Sequence, residues 1–318
     1  MKMTMVEIRT STFSAFIADN EPCGIHRRGY NGVASLIPAQ TGNNLFVPTF
    51  SGMNYETIEL TGLPPFKREG ASRFEPRSDP MSIERADAGS ATLVQPETSH
   101  AGVSARIVFR VEEPHYLHQR IELTFNRQFC PEGTPCEFNS LWASYIHMPT
   151  DRRIYLKPDM NSGTELSGWI GITKEDHSSP EMIVKALPSD REISAEEHLS
   201  NMESESPENP AQRLPLDAPP WPLSASLGRI PYPARFYYGL VHDGLMMLMM
   251  FRQPERFRIA YSPCGAGKEP AWNPAWDYIL HLDDAQTGVV YAWELCLCVK
   301  PFAGRGDALN EYNHYTGG

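Results

Sequence analysis

Ala105-Arg106-Ile107-Val108-Phe109-Arg110-Val111 and, shortly after, Leu117-His118-Gln119-Arg120-Ile121-Glu122-Leu123-Thr124-Phe125 decide the fold class. Ala105, Ile107, Phe109 and Val111 alternate with Arg106 and Arg110, while Leu117, Ile121, Leu123 and Phe125 alternate with His118, Arg120, Glu122 and Thr124. A period of two puts the apolar side chains on one face of an extended chain, the pattern of a half-buried strand. The same period runs through Phe257, Ile259 and Tyr261 against Arg256 and Arg258. Near the end of the chain Val289, Tyr291, Trp293, Leu295, Leu297 and Val299 share a face, opposite Val290, Ala292, Glu294, Cys296 and Cys298. Such spacing predicts antiparallel sheets stacked face to face. Leu245-Met246-Met247-Leu248-Met249-Met250-Phe251 is apolar throughout and lies between Gly244 and Pro254, which predicts a strand buried on both faces with its methionines as core.

Composition agrees. The 318 residues include 28 prolines and 23 glycines, too many interruptions for a helical bundle, and 41% hydrophobic residues supply a core. One all-β domain over 1–318 is expected, a large antiparallel β-sandwich with few short helices, since single β domains often exceed about 200 residues. Basic residues number 28 and acidic ones 39, a net charge of −11, and no basic run exceeds two residues. No concentrated basic face is available, so nucleic acid is not an expected partner. The longest apolar run, Leu245 to Phe251, holds seven residues, against the roughly 20 that a spanning helix needs, so no membrane segment is expected. Met1-Lys2-Met3-Thr4-Met5-Val6-Glu7 has no apolar signal core, which makes the cytoplasm the default expectation, a trimmed leader being the alternative. Six cysteines are too few for a disulfide scaffold. Cys130 and Cys136 bracket Pro-Glu-Gly-Thr-Pro and would bridge a tight loop if oxidised; no second pair stands at zinc spacing, so no metal is expected.

Pro188 to Pro222 breaks the strand pattern, with seven prolines, eight acidic residues and only Arg191 and Arg213 as basic ones. Ser194-Ala195-Glu196-Glu197 matches a capping box and predicts the start of a short helix. The stretch is expected to be an exposed acidic, proline-rich insertion in the single domain, or a lid.

Several segments carry polar groups suited to chemistry. Ser262-Pro263-Cys264-Gly265-Ala266-Gly267-Lys268 fails as a phosphate loop, because Ser262 stands where the first glycine is required and Glu269 follows the lysine. No dinucleotide fingerprint is present, and no cofactor is expected. Gly24-Ile25-His26-Arg27-Arg28-Gly29-Tyr30-Asn31-Gly32 sets a histidine, two arginines, a tyrosine and an asparagine among glycines that permit close backbone approach. If 55–60 form a strand, Glu56 shares a face with Ile58 and Leu60; a carboxylate there must be paired, hydrogen-bonded or raised in pKa. That prepares a general acid or base, and a buried Glu–Arg pair has the same appearance in sequence. Glu294 poses the same question, and His177 lies on a loop where imidazole titrates freely. Tyr145, Tyr237-Tyr238 and Asn273-Pro274-Ala275-Trp276-Asp277 offer aromatic surfaces beside polar groups, which suit sugars.

The segments His26-Arg27-x-Gly29-Tyr30-Asn31-Gly32, Asn44-Leu45-Phe46-Val47-Pro48, Trp142-Ala143-Ser144-Tyr145-Ile146, Phe236-Tyr237-Tyr238-Gly239, Ser262-Pro263-x-Gly265-x-Gly267 and Asn273-Pro274-Ala275-Trp276-Asp277 together resemble a family of uncharacterised bacterial proteins, through most of the chain. Leu240-Val241-His242 and the enlarged Pro188–Pro222 stretch depart from it. The strand-rich plan is also similar to the galactose-mutarotase-like β-supersandwich. That resemblance implies mutarotases, sugar epimerases, or domains of polysaccharide lyases and glycosidases, and fold alone does not choose among them.

The expected function is a carbohydrate-active enzyme using acid–base chemistry, mutarotase- or epimerase-like. A lyase or glycosidase, or a non-catalytic carbohydrate-binding protein, are the alternatives. Glu56, His26 and His177 are the catalytic candidates; Arg27, Tyr30, Asn54, Arg77, Tyr145, Tyr238 and Trp276 are the substrate-binding ones. The expected partner is a small sugar or oligosaccharide, and a homo-oligomer is compatible with the sequence.

Overall fold

The computed structural model describes residues 4–63, 73–158, 168–176, 179–187, 195–203, 211–215, 234–263 and 273–317. The chain divides into two compact units, one formed by Met1–Tyr145 with Asp277–Glu294, the other by Ile146–Trp276 with Leu295–Gly318. Among the described residues no helix is long and apolar enough to cross a membrane.

In the first unit β1 (Met5–Arg9), β2 (Phe13–Ala18) and β3 (Gly32–Pro38) form an antiparallel sheet in that order. Two short strands follow, β4 (Asn54–Tyr55) and β5 (Glu59–Leu60), then a single helical turn, α1 (Glu75–Ser78). β6 (Ser82–Asp87), β7 (Ser90–Gln95), β8 (Val103–Glu112) and β9 (Tyr116–Phe125) are consecutive antiparallel neighbours. Ile107 lies opposite Ile121 and Ala105 opposite Leu123 on the buried face, and Arg106 lies opposite Glu122 on the other, so the two-residue period is realised as register.

β10 (Phe138–Ala143) is the centre of a second layer of pairings, between β18 (Ala275–Leu282) on one side and β4 and β5 on the other. Tyr55, Trp142 and Tyr278 are register partners across β4, β10 and β18, and their rings stack at 5.1 and 5.9 Å between centroids. All three are fully buried, so this aromatic ladder fixes the register that the candidate site depends on.

The expected strand over 55–60 is interrupted. Tyr55 pairs with Trp142 and Glu59 with Asn139, which leaves Glu56, Thr57 and Ile58 opposite only Ser140 and Leu141. The main-chain N–H groups of Glu56 and Thr57 both donate to the Leu141 carbonyl, at 3.0 and 3.4 Å. One extra residue is thereby absorbed as a β-bulge, which re-aims the Glu56 side chain.

The second unit pairs its strands antiparallel in the order β14 (Gln212–Pro215), β13 (Glu181–Ala186), β12 (Ile170–Thr173), β11 (Ile154–Leu156), β15 (Phe236–Leu240), β16 (Leu245–Phe251) and the later half of β19 (Val290–Pro301). β16 is buried at every position between β15 and β19, as its continuous apolar run requires. The same pairing changes the reading of β19: Leu295 to Val299 are buried on both faces, Cys296 and Cys298 included, where strict alternation was expected. β17 (Phe257–Ser262) is likewise buried from Ile259 to Ser262.

Two described elements come from the acidic 188–222 stretch. α2 (Ala195–Glu203) begins directly after Ser194, and β14 pairs with β13, with Arg213 exposed. The rest of that stretch, His177 and the glycines of the 262–268 loop lie outside the described residues. A last helix, α3 (Arg305–Thr316), closes the chain on a left-handed Gly317.

Candidate functional site

The glycine-rich loop is pinned to β4 by Asn31. Its amide donates to the Tyr55 carbonyl at 2.9 Å and accepts from the Tyr55 N–H at 3.0 Å, while its own N–H donates to Asn54 Oδ1 at 3.0 Å. Gly32 makes this approach feasible: its φ is +82°, and a Cβ there would lie 2.2 Å from the Met53 carbonyl oxygen. Asn54, expected to bind substrate, is instead fully buried and spends its Oδ1 on the loop.

His26 is also a loop-holding residue. It is 3% exposed, and its Nε2 lies 2.8 Å from the Tyr30 carbonyl oxygen. A carbonyl only accepts, so Nε2 carries a proton and donates it there. Burial lowers the imidazole pKa more than the neighbouring main chain and Asp19 raise it, which keeps the ring neutral.

The loop ends at Tyr30, and from there the polar groups converge. The Tyr30 ring packs edge-on against Phe50 at 4.6 Å and Tyr145 at 5.9 Å. Arg77, on α1, sits with its guanidinium carbon 4.1 Å from the Tyr30 ring centroid, donates from Nε to the Gly29 carbonyl at 3.1 Å, and donates from Nη1 to Glu56 Oε1 at 2.9 Å. The Tyr145 hydroxyl reaches both Glu56 oxygens, at 3.1 and 3.0 Å. Glu56 is thus a buried carboxylate with donors on both oxygens, its side chain 7% exposed against 24% for Arg77. Burial pushes its carboxyl above the ordinary value, and the Arg77 charge and the two hydrogen-bonding partners pull it part of the way back. Burial and the Glu56 charge drive the Tyr145 phenol well above its ordinary value, so it stays protonated and remains a donor. Arg27, by contrast, is exposed, and its guanidinium lies over the outer edge of this wall, 5.2 Å from the Phe50 ring and 5.9 Å from Tyr30.

Sequence reasoning missed a second carboxyl of the cluster. Asp277 is 1% exposed, accepts the Ser144 N–H at 2.9 Å, and is held well above its ordinary pKa by burial, with the Glu56 charge adding to the effect. It is the last residue of the Asn273–Asp277 motif, but only the structure shows that it belongs with Glu56. Neither residue lines a roughly 400 Å³ pocket of the first unit bounded by Gln128, Cys130, Cys136, Asp284 and Thr287. Both cysteines there are free thiols within 3.4 Å of the Thr61 carbonyl.

Two expected platform residues belong to the second unit and are buried in it. Trp276 is fully buried, donates from Nε1 to the Arg152 carbonyl at 3.0 Å, and packs so tightly on Gly239 that a Cβ there would lie 2.1 Å from its ring. Tyr238 is fully buried and stacks on Tyr155 at 5.2 Å. Their strands are covered on both sides, which alternation does not reveal. Glu294, the reserve candidate, lies on β19, 36% exposed, with Arg120 bound to its carboxylate. The second unit also carries a histidine pair that was not foreseen: His147 and His242 lie 6.2 Å apart, each beside a non-glycine residue in the left-handed region, Met148 at φ 40° and Asp243 at φ 57°.

No family model matches the sequence, and no curated protein matches it; the bacterial-family resemblance therefore rests on the quoted segments alone. Solved structures do match. A protein of Escherichia coli K12 provisionally named an aldose 1-epimerase is similar over 94% of this chain and 99% of its own, with a TM-score of 0.53 at 11% identity. The alpha-N-acetylgalactosaminidase NagBb of Bifidobacterium bifidum is similar over 98% of this chain, with a TM-score of 0.50 at 11% identity, and this chain spans 39% of that longer protein. At such identities the likeness shows the fold: an all-β, antiparallel, galactose-mutarotase-like sandwich.

Proposed function

We propose that the protein acts on a sugar by acid–base chemistry, as a mutarotase or epimerase, with Glu56 as the group that exchanges the proton. The observation that carries this reading is a carboxyl raised by burial but restrained by Arg77 and by a protonated Tyr145. A base must hold a proton in one half of the reaction and release it in the other, which favours a pKa displaced towards neutrality. Tyr145 orients the carboxylate, Arg77 neutralises its charged form, and Arg27 meets the substrate from the exposed side. The fold supports the reading by analogy, since one similar structure carries an aldose 1-epimerase name. His26 is left out of the proton transfer because its Nε2 proton is committed to Tyr30.

A second reading, β-elimination from a uronate, is favoured by one feature: two arginines flank a tyrosine beside the base, so a substrate carboxylate and a proton donor are both provided for. Optical rotation of freshly dissolved sugars, followed with and without enzyme, tests the first reading; ultraviolet absorbance of an unsaturated uronate tests the second. Turnover in neither assay, across neutral and acidic sugars, removes both.

A further inference from the structure

The second unit contains a buried site that the Glu56 chemistry does not use. His198, on α2, is fully buried. Its imidazole is enclosed by three aromatic rings: Tyr155 at 4.4 Å, Phe302 at 5.4 Å and Tyr238 at 6.2 Å. Tyr155 and Phe302 each also stack on Tyr238, at 5.2 and 5.6 Å, so the rings form a preassembled wall rather than separate contacts. Behind them the Asp151 carboxylate is fixed by the Tyr155 hydroxyl and by Arg153.

The imidazole fits this box by shape and not by polarity. Among the described residues, neither Nδ1 nor Nε2 of His198 has a hydrogen-bond partner, and neither does the buried Tyr238 hydroxyl that shares the box. Buried polar groups in folded proteins are overwhelmingly paired, and here three such atoms stand together on two neighbouring side chains, open to a further partner. Asp151 in the same cluster, by contrast, accepts from Arg153 N, Arg153 Nη1 and Tyr155. The occupant also comes from the acidic, proline-rich stretch, the part of the chain with least apolar material to anchor it.

We propose that the Tyr155–Tyr238–Phe302 box is a binding site for a sugar ring, and that α2 fills it with His198 when no sugar is bound. A pyranose offers flat C–H faces to the rings and hydroxyls to the Tyr238 oxygen, and mostly aromatic walls with a few placed polar groups are how small-molecule sites are built. The class of ring rests on the carbohydrate reading above; the existence of the site rests on the box itself. Binding and displacement of α2 are then one equilibrium, and wild-type affinity is reduced by the fraction of molecules with the box closed.

The test uses the full chain and D-galactose, D-glucose and D-galacturonate as probes. Calorimetry should give His198→Ala an affinity for at least one of them about tenfold or more above wild type, because the closed state is weakened. Tyr238→Phe, added to His198→Ala, should remove much of that gain. Hydrogen exchange on the wild type should show the α2 amides losing protection on saturation with the same sugar, while β15 and β16 keep theirs. This second measurement decides the matter even where His198→Ala does not fold. Equal affinity of wild type and His198→Ala, binding of none of the probes, or unchanged α2 protection at saturation overturns the proposal. Glu56→Gln separates it from the catalytic reading: box binding that survives with turnover lost supports both, and turnover in the wild type without any box binding leaves only the first.

Discussion

Glu56 in the first unit and His198 in the second are both buried ionisable residues, and they are treated in opposite ways. Glu56 has donors on both oxygens, from Arg77 and Tyr145. His198 has a partner among the described residues on neither ring nitrogen. The first arrangement is built to hold a charge in place, with its pKa set by competition between burial and a counter-ion. The second is built around rings, and its present occupant contributes shape alone. Burial by itself therefore says little about role; what decides is whether the surroundings answer the buried group.

The contrast is sharpest in stability. Glu56→Leu leaves Arg77 without its partner in a site that is largely closed to water, and should cost about 3–5 kcal/mol in urea unfolding, the usual penalty for breaking a buried pair. His198→Leu replaces unpaired polar atoms by an apolar side chain against the same aromatic wall, and should be neutral or stabilising in the same assay. Equal losses at the two positions would break the comparison.

Acid should separate them next. Burial, reinforced by Arg305 and opposed by Asp151, lowers His198 to about 4 from its ordinary 6.5. The unfolded chain then binds the proton that the folded one refuses, so stability is present above the ordinary value and is lost as pH falls towards the lowered one. Across that window the effect is on the order of 3 kcal/mol, and it should appear as loss of α2 helix and of exchange protection there. Glu56 works in the reverse sense. Its raised pKa favours the folded state fully below the ordinary carboxyl value of 4.5, and that contribution is lost as pH rises through the raised one. Helix α2 that stays protected through the descent would contradict the assignment of His198.

Smaller effects sharpen the Glu56 side. Tyr145→Phe removes the hydroxyl that contacts both carboxylate oxygens and should cost about 1.5–3 kcal/mol, the range for hydrogen bonds to charged groups. Arg27→Ala, exposed and outside that network, should change the melting free energy by less than about 0.5 kcal/mol while raising KM for sugar. A Tyr145→Phe protein as stable as wild type would mean that Glu56 does not depend on its hydrogen bonds.

How far these regions could be anticipated follows from the same contrast. β8, β9 and β16 were legible because their apolar spacing has one cause, burial of one face or of both. Arg77 and Tyr145 were legible as polar or aromatic residues in unusual company. The bulge at Glu56–Ile58 was not, because an extra residue in a ladder is visible only when the partner strand is known. The burial of Tyr238 and Trp276 was not legible, because an aromatic residue next to polar neighbours reads alike whether its strand is covered on one side or on two. His198 was overlooked because its sequence neighbours are acidic and it reads as one more surface residue. Asp277 needed a partner supplied from β10's end, far away in sequence.

The most direct test of Glu56 as the proton-exchanging group is the pH–rate profile of Arg77→Gln against wild type on a sugar that the wild type turns over. Arg77 holds the Glu56 carboxyl down, so without that charge the acidic limb of the profile should move to higher pH while its shape is kept. A limb that stays where it was in a folded Arg77→Gln protein would show that the Glu56–Arg77 pair is structural and that the proton passes elsewhere.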